Sequence, residues 1–377
     1  PIPADDADWG RVDRVIYRRP NDDENRIGVR RLLVGGTYDA VPASLYDTQA
    51  FNTSKVRTNT KVLIGSDNSA HLFVTSGHTG GFVIEYKKVA SDRTTVLVAT
   101  TTIQTGVFDQ DFDVAIDKND NLYLVFISGT DLKWRKFDSV GAPLTAAMTI
   151  DAQSGQCLAP KIAVDPAATK AFVVYQALVA VGQNQIFLVT TDLGGAVATP
   201  SQNINSNAYN LVSPSVFVTD DYQVFVAWEN VTNSKIAYRV YNDIGTPFGA
   251  ETTVSSATNR IGFGTLVDGA KKPKILVTDN KNVVVAFLQD KGGVVYGLSI
   301  WTKGAAVMQQ LLTAGEDFDR YDIAVDKAFN GYHIVVSRTA NVDFVKLRGE
   351  TVDFTLPLAA TGSAGVSTSI DILGSVF

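Results

Sequence analysis

Asp113-Val114-Ala115-Ile116-Asp117-Lys118-Asn119-Asp120-Asn121-Leu122-Tyr123-Leu124-Val125-Phe126-Ile127 contains a short apolar segment ending in Asp, a polar turn and a second apolar segment. The turn Lys118–Asn121 is rich in residues that tolerate tight backbone angles. Leu122–Ile127 is apolar on both faces, as a strand covered on both sides must be. Downstream, Leu132-Lys133-Trp134-Arg135-Lys136-Phe137 roughly alternates apolar and charged residues, so one face packs and the other is wetter. A turn at Ser139-Val140-Gly141 leads to a fourth segment, Leu144–Ile150. These read as four strands, a to d, of one antiparallel sheet whose polarity rises outward from strand b.

The phrase recurs at Ile64-Gly65-Ser66-Asp67, Ile162-Ala163-Val164-Asp165, Phe217-Val218-Thr219-Asp220, Leu276-Val277-Thr278-Asp279, Ile323-Ala324-Val325-Asp326 and Thr368-Ser369-Ile370-Asp371. A period of roughly 50 residues built from short strands marks a β-propeller, one blade per repeat. The c–d hairpins carry Gly followed by an apolar residue three positions on: Gly141/Leu144, Gly194/Val197, Gly245/Phe248, Gly304/Val307 and Gly349/Val352. Here Gly supplies positive φ and the apolar residue is expected to point inward. Complete repeats span residues 61–358. Val12–Arg19, Gly28–Gly35 and Val41–Asp47 precede them as strands b, c and d, and Ser369–Leu373 follows as a lone strand a. The expectation is an all-β fold: a seven-bladed β-propeller of four-stranded antiparallel blades, one domain over residues 1–377. The ring would be closed by residues 367–377 against residues 10–50, which hides exposed strand edges. A six-bladed ring with loose ends is the alternative.

Composition narrows the function classes. Hydrophobic residues make up 45% and charged residues 19% of the chain, which suits a folded protein. The net charge of −6 is spread without a Lys/Arg block, which argues against a nucleic-acid groove. Cys157 is alone, so no intrachain disulfide can form. No apolar run approaches the roughly 20 residues of a membrane-spanning helix. Pro1-Ile2-Pro3-Ala4-Asp5-Asp6 does not read as a signal peptide; either one was removed or an initiator Met was trimmed. Scarce Met and His beside plentiful Thr, Asn, Val and Asp resemble the usage of extracellular and virion proteins.

Catalytic motifs are absent: there is no Gly-x-Ser-x-Gly, no phosphate-binding Gly-rich loop and no His-x-x-x-His. His71 and His333 fall beside strand b residues and read as strand positions, whereas His78 falls in a b–c loop. Zinc lacks a ligand set, and no cofactor is implied. Asp117-Lys118-Asn119-Asp120-Asn121 lacks the sixth-position Gly and twelfth-position acid of a calcium loop, so its Asp is expected to accept turn amides. Carboxylates crowd two d–a connections, Asp109 and Asp111 in one and Asp317 and Asp319 in the other. Asp113 and Asp322 share one register, four residues before the terminal Asp, and form the one pair eligible for glycoside hydrolysis. The longest insertion, Ser255–Gly264 continuing to Lys271-Lys272-Pro273, is also a d–a connection. Candidate binding residues on these connections are Asn207, Tyr209, Arg260, Phe263, Asp317, Asp319, Arg320, Asp109 and Asp111.

Tyr241-Asn242-Asp243-Ile244-Gly245-Thr246-Pro247-Phe248 resembles a degenerate Asp-box, the S-x-D-x-G-x-x-W hairpin of sialidase-like propellers, and Thr190–Val197 is a weaker copy. The resemblance covers c–d turns only and implies fold rather than activity. A sialidase would further need three Arg, a Tyr–Glu pair and an acid; Arg260 and Arg320 are the rim arginines that suit this. More broadly, the chain resembles the non-enzymatic propellers of phage particles, adhesins and lectins. The expectation is therefore a non-enzymatic interaction module of a virion or the extracellular space, with other protein subunits or a cell-surface glycan as partner. The alternative is a carbohydrate-binding propeller or a glycoside hydrolase.

Overall fold

The computed structural model describes residues 13–18, 27–31, 57–78, 81–90, 95–107, 112–152, 156–204, 209–243, 245–255, 270–278, 281–290, 296–303, 309–312, 318–326, 331–338, 341–348, 351–360 and 368–372. Every regular element among them is a β-strand.

Strands β1 (Asp13–Arg18) and β2 (Ile27–Arg31) come first. Sheet A is β3 (Arg57–Ile64), β4 (Ala70–His78), β5 (Gly81–Val89) and β6 (Val96–Val107). Sheet B is β7 (Phe112–Ile116), β8 (Leu122–Ser128), β9 (Asp131–Phe137) and β10 (Met148–Asp151). Sheet C is β11 (Cys157–Val164), β12 (Lys170–Ala180), β13 (Gln183–Asp192) and β14 (Val197–Asn203). Sheet D is β15 (Leu211–Val218), β16 (Val224–Asn230), β17 (Lys235–Tyr241) and β18 (Thr252–Ser255). Sheet E is β19 (Ala270–Val277), β20 (Val283–Asp290), β21 (Tyr296–Thr302) and β22 (Gln309–Leu312). Sheet F is β23 (Phe318–Asp326), β24 (Gly331–Arg338), β25 (Asn341–Arg348) and β26 (Thr351–Ala360). Each of these sheets is antiparallel, with its strands in sequence order. The last strand, β27 (Thr368–Ile372), pairs with β1, Ile370 opposite Val15 and Ile372 opposite Asp13, in a three-stranded sheet β2-β1-β27. First strands of successive sheets lie side by side from β3 to β23, and β27 lies beside both β23 and β3.

Burial follows the strand order. β7 and β16 are buried along their whole length and β8 up to its last residue, whereas the outer strand β14 is mostly exposed. The core forms between sheets. Tyr123, Trp134, Ile162, Val173 and Tyr175 make one cluster across sheets B and C. Phe172, Leu188, Val226 and Trp228 make another across C and D. Burial on both faces explains the apolar runs of the second strands β8 and β16, Leu122–Ile127 and Val224–Trp228. Val41–Asp47, one of the expected N-terminal strands, lies outside the described residues, and the expected Leu144–Ile150 strand is regular only from Met148.

The a–b turns correct the sequence register. The turn-closing amides belong to Gly65, Asp117, Asp165, Thr219 and Thr278, which are structurally equivalent. Asp117 accepts the amides of Asn119 and Asn121, and Asp165 those of Thr169 and Lys170. In two other repeats a Thr hydroxyl does this work, Thr219 accepting from Gln223 and Thr278 from Asn282. Asp67 and Asp220 therefore sit one or two residues beyond the equivalent position, because Thr and Asp cap such turns interchangeably.

The c–d hairpins depart further. Their positive-φ glycines are Gly141, Gly195 and Gly245, so the second is Gly195 rather than Gly194. The turn is closed by the Asx residue three positions earlier: Asp138 accepts the amide of Ala142, Asp192 that of Ala196 and Asn242 that of Thr246. Asp243, the Asp of the presumed Asp-box, instead pairs with Lys170 of sheet C at 2.6 Å. The apolar residue expected to point inward faces solvent: Leu144 is 53%, Val197 42% and Phe248 62% exposed. The amides of Leu144 and Phe248 bond back to the carbonyls of Lys136 and Val240, which places both residues beyond the packed end of the third strand.

Candidate functional site: a charged row on the inner strands

Each sheet's first strand carries a polar residue in otherwise apolar surroundings, four positions before the turn. These are Lys61, Asp113, Lys161, Ser215, Lys274 and Asp322. The pairing register proves their equivalence. They oppose Phe73, Val125, Val174, Ala227, Ala286 and Val335, the matching positions of the second strands. Asp113 and Asp322 thus do share one register, and the row extends beyond them to three lysines and a serine.

A β-bulge sets up this position. The register shifts just before Lys161, Ser215 and Lys274, and also near the start of β3 and β23. Ala159, Ser213 and Lys272, two residues before the row, have φ of 48°, 55° and 52°. Pro160, Pro214 and Pro273 follow them, at a place where an inner-edge strand tolerates a missing donor. The bulge amide is taken by the preceding sheet: Gln176 accepts that of Ser213 and Glu229 that of Lys272. The hydroxyl of buried Tyr321 lies 2.6 and 2.7 Å from the carbonyls of Lys272 and Ala286, shares its one proton between them and so holds the bulge of sheet E. Burial, and then the Asp322 carboxylate, push its phenol well above the ordinary range. Lys271-Lys272-Pro273, expected as the end of an insertion, is strand.

The row residues link neighbouring sheets. Asp113 Oδ1 lies 2.8 Å from the Lys61 ammonium, and Oδ2 accepts the amide of Ile162 on β11 at 3.1 Å. Ser215 accepts the amide of Ile275 on β19 in the same way. Lys274 lies 3.4 Å from Asp322. Burial opposes ionisation of Asp113, but Lys61 and then Lys161 outweigh it and hold the carboxyl below its usual range. Burial lowers the Lys274 ammonium below the ordinary lysine range; Asp322 opposes this, and Lys61 and Lys161 add to it. Asp113 acts on it as well, so Lys274 feels charges from four other sheets and the row converges on one space. Among the described residues the row holds three ammonium groups against two carboxylates. Lys161 has the Pro160 carbonyl as its acceptor, 3.0 Å away, and no described carboxylate within ion-pair distance.

Of the nine sequence-nominated binding residues, three are described. Asn207, Arg260, Phe263, Asp317, Asp109 and Asp111 lie outside the described residues. Asp319 and Arg320 lie on β23, at the bulge that precedes Asp322. Tyr209 is half-buried against the cluster of sheets C and D, and its carbonyl accepts from Gln185. His78 ends β4 rather than lying in a loop. His71 is buried against the Tyr86 hydroxyl, and burial takes its imidazole down to about 4. Among the described residues no three His, Cys, Asp or Glu side chains gather as a metal ligand set.

No protein-family model matches the chain, and no curated protein matches by sequence. The fold, in contrast, is widely shared.

A putative 6-phosphogluconolactonase from Bacteroides fragilis is 10% identical, with TM-score 0.60, over 97% of this chain and 99% of that one. An ulvan lyase, a polysaccharide lyase bound to a GlcA(1-4)Rha3S repeat, is 11% identical with TM-score 0.59 over 92% and 91%. A protein from Lactobacillus plantarum is 14% identical with TM-score 0.59 over 96% and 99%. Such identities establish the fold, an all-β arrangement of four-stranded antiparallel sheets set like propeller blades. They also overturn the expectation of a non-enzymatic virion or surface module, and with it the expectation that the chain is not an enzyme. Those readings rested on fold likeness, and the like folds with a named activity here are enzymes.

Proposed function

We propose that the chain is a carbohydrate-active propeller enzyme acting on an anionic polysaccharide, with the charged inner row as the place where the saccharide's anionic group is held. The observation that carries this reading is the imbalance of the row, in which Lys161 has no described carboxylate partner. Lys161 is partly buried, and an ammonium partly withdrawn from bulk water attracts an anion more strongly than one on an open surface. The reading is supported by the bulges beside the row, a feature over-represented next to active sites. It is further supported by an ulvan lyase of like fold whose bound repeat carries a uronate and a sulfate.

The row favours elimination over hydrolysis. Hydrolysis by paired carboxyls needs one of them protonated at working pH. Asp113 is held ionised by Lys61, and Asp322 sits beside Lys274. β-Elimination instead needs the uronate carboxylate neutralised by a cation while a base, for which the row offers an ionised carboxylate, takes the proton beside it; the C4–C5 double bond forms as the C4–O bond breaks, and the departing oxygen takes a proton from water. Lys161 is placed for that neutralising role. We also propose that the three-stranded sheet β2-β1-β27 completes a seven-bladed, single-domain ring; this is supported by the proximity of β27 to both β23 and β3.

The test is to incubate the protein with polygalacturonate, ulvan and a neutral glucan. The expected result is depolymerisation of an anionic polymer with an unsaturated uronate end, and none of the glucan. Lys161→Met should lower kcat/KM by about a hundredfold, the cost of leaving a desolvated anion unpaired. Equal cleavage of the glucan, or an unaffected Lys161→Met enzyme, would overturn the reading.

A further inference from the structure

At the opposite ends of the strands, where the a–b turns and c–d hairpins lie, sheets D and E leave a groove of about 530 Å³ between them. Its volume lies within the range of small-ligand sites. Its floor is apolar, built from Phe225, Val277 and Val283. Tyr238 lies at the register of Tyr86 and Trp134, opposite Ala227 as they oppose Phe73 and Val125. The rings of Tyr86 and Trp134 fill the space over the next sheet's hairpin glycine, Gly141 and Gly195 respectively. Tyr238 packs instead against Trp301, 5.8 Å between ring centroids, and lines the groove.

The walls carry an aromatic face and a charge imbalance. Phe248, 62% exposed, is the largest of the outward-facing hairpin residues. Arg239, Lys281 and Lys303 line the groove with one carboxylate, Asp221, which Lys281 holds at 2.8 Å across the two sheets. Arg239 reaches the Gly249 carbonyl at 2.6 Å and lies over the Tyr241 ring, 5.9 Å from its centroid. Thr219, Gln223 and Thr252 add short polar groups. An exposed ring that can cover a sugar face, flanked by cations and small polar groups, is chemistry suited to an acidic saccharide.

We infer that this groove is a second saccharide-binding site, holding another stretch of the anionic polysaccharide away from the inner row; the inference rests on the proposed function above. Its effect is to raise the local concentration of a long polymer rather than to take part in bond cleavage.

The experiment compares wild type, Phe248→Ala and Lys303→Gln, both changes at exposed positions that folding tolerates. Affinity is measured for long ulvan or polygalacturonate chains, and turnover for short oligosaccharides cut from the same polymer. Each variant should bind the long polymer about tenfold more weakly, the loss of one anchoring contact. Each should turn over the short substrate as wild type does. Unchanged polymer affinity in both variants, with wild type still active, would overturn the groove alone. Wild type that neither binds nor cleaves any anionic polymer would overturn the groove together with the reading it rests on.

Discussion

The carboxylate of Asp113 accepts the backbone amide of Ile162 at 3.1 Å, and the two residues belong to the inner strands of different sheets. The inner edge of a blade has no further strand to pair with, so its amides need side-chain acceptors. Ser215 and Ile275 repeat the arrangement two sheets further on. The row therefore has a structural half, which ties sheets together, and a charged half left over from that work.

Removing the tie tests the structural half. Asp113→Ala should destabilise the fold by about 3 kcal/mol, because it strands both the Lys61 ammonium and the Ile162 amide. Asp113→Ser, which copies Ser215, should recover part of the loss. Folded Asp113 has a lowered pKa, so its stabilisation is present above the unfolded value of ~3.9 and is lost as pH falls through the folded value. Urea titrations at several pH values should show wild-type stability falling in that acid window and a flatter profile in the Ser variant.

A second pH dependence belongs to His71. Its folded value of about 4 lies below the ordinary imidazole value of 6.5, so the fold holds it neutral. Stability is full above the unfolded value. It is lost as pH drops from there toward the folded value, because only the unfolded chain takes up the proton. The loss should reach about 3 kcal/mol at the acid end. His71→Asn should be less stable at neutral pH, losing the Tyr86 contact, yet should not show this decline. A parallel decline in both proteins would remove His71 as its cause.

The architecture was legible because burial on both faces makes apolar runs of second strands such as Leu122–Ile127 and Val224–Trp228. The turn register was less legible, since Thr219 and Thr278 cap as Asp117 does and the eye follows the neighbouring Asp. Asp113 and Asp322 stood out because a carboxylate inside an apolar strand is unusual. Lys61, Lys161 and Lys274 occupy the same position but read as ordinary exposed lysines. The signal that finds Lys161 and Lys274 is the pattern Ala159-Pro160-Lys161, Ser213-Pro214-Ser215 and Lys272-Pro273-Lys274, a proline on an inner edge just before the row, whereas Lys61 follows Thr60 and lacks it. The groove at Phe248 was hidden by the assumption that a hairpin's apolar residue packs inward.

The β27 pairing makes a direct prediction. Deleting residues 367–377 removes the partner of β1 and leaves the neighbours β3 and β23 uncovered. Exposed strand edges of this kind promote association. The truncated chain should melt well below wild type and aggregate at micromolar concentration, read by scattering alongside circular dichroism. A wild-type melting curve would show that β27 contributes nothing to closing the fold.

Packing at the hairpins separates two kinds of glycine. Gly195 has φ of 91°, and an added Cβ would run into Met148 and Trp134 of the preceding sheet. Gly182 has φ of 71° but open space around it. Gly182→Ala should cost only the backbone strain, about 1 kcal/mol. Gly195→Ala should cost that and overpacking besides, about 3 kcal/mol in all. Equal costs, measured by urea unfolding, would mean that the hairpin does not press on the neighbouring sheet.

The last prediction sets two lysines of the inner row against each other. Lys61 and Lys161 occupy the same register on β3 and β11. Lys61 neutralises a buried carboxylate, whereas among the described residues Lys161 bonds the Pro160 carbonyl next to it in the chain and ion-pairs with no carboxylate. Lys61→Met should therefore destabilise the protein by about 3 kcal/mol, the cost of leaving a buried charge unpaired. Lys161→Met should change stability by less than about 1 kcal/mol, since it removes a positive charge from a row that already has one in excess. The same substitution should abolish most activity on the anionic polymer. A group that pairs with no described carboxylate, yet is required for turnover, is one whose partner arrives with the substrate. If urea unfolding instead shows the two variants equally destabilised, Lys161 is a structural residue like Lys61, and the anion site loses its basis.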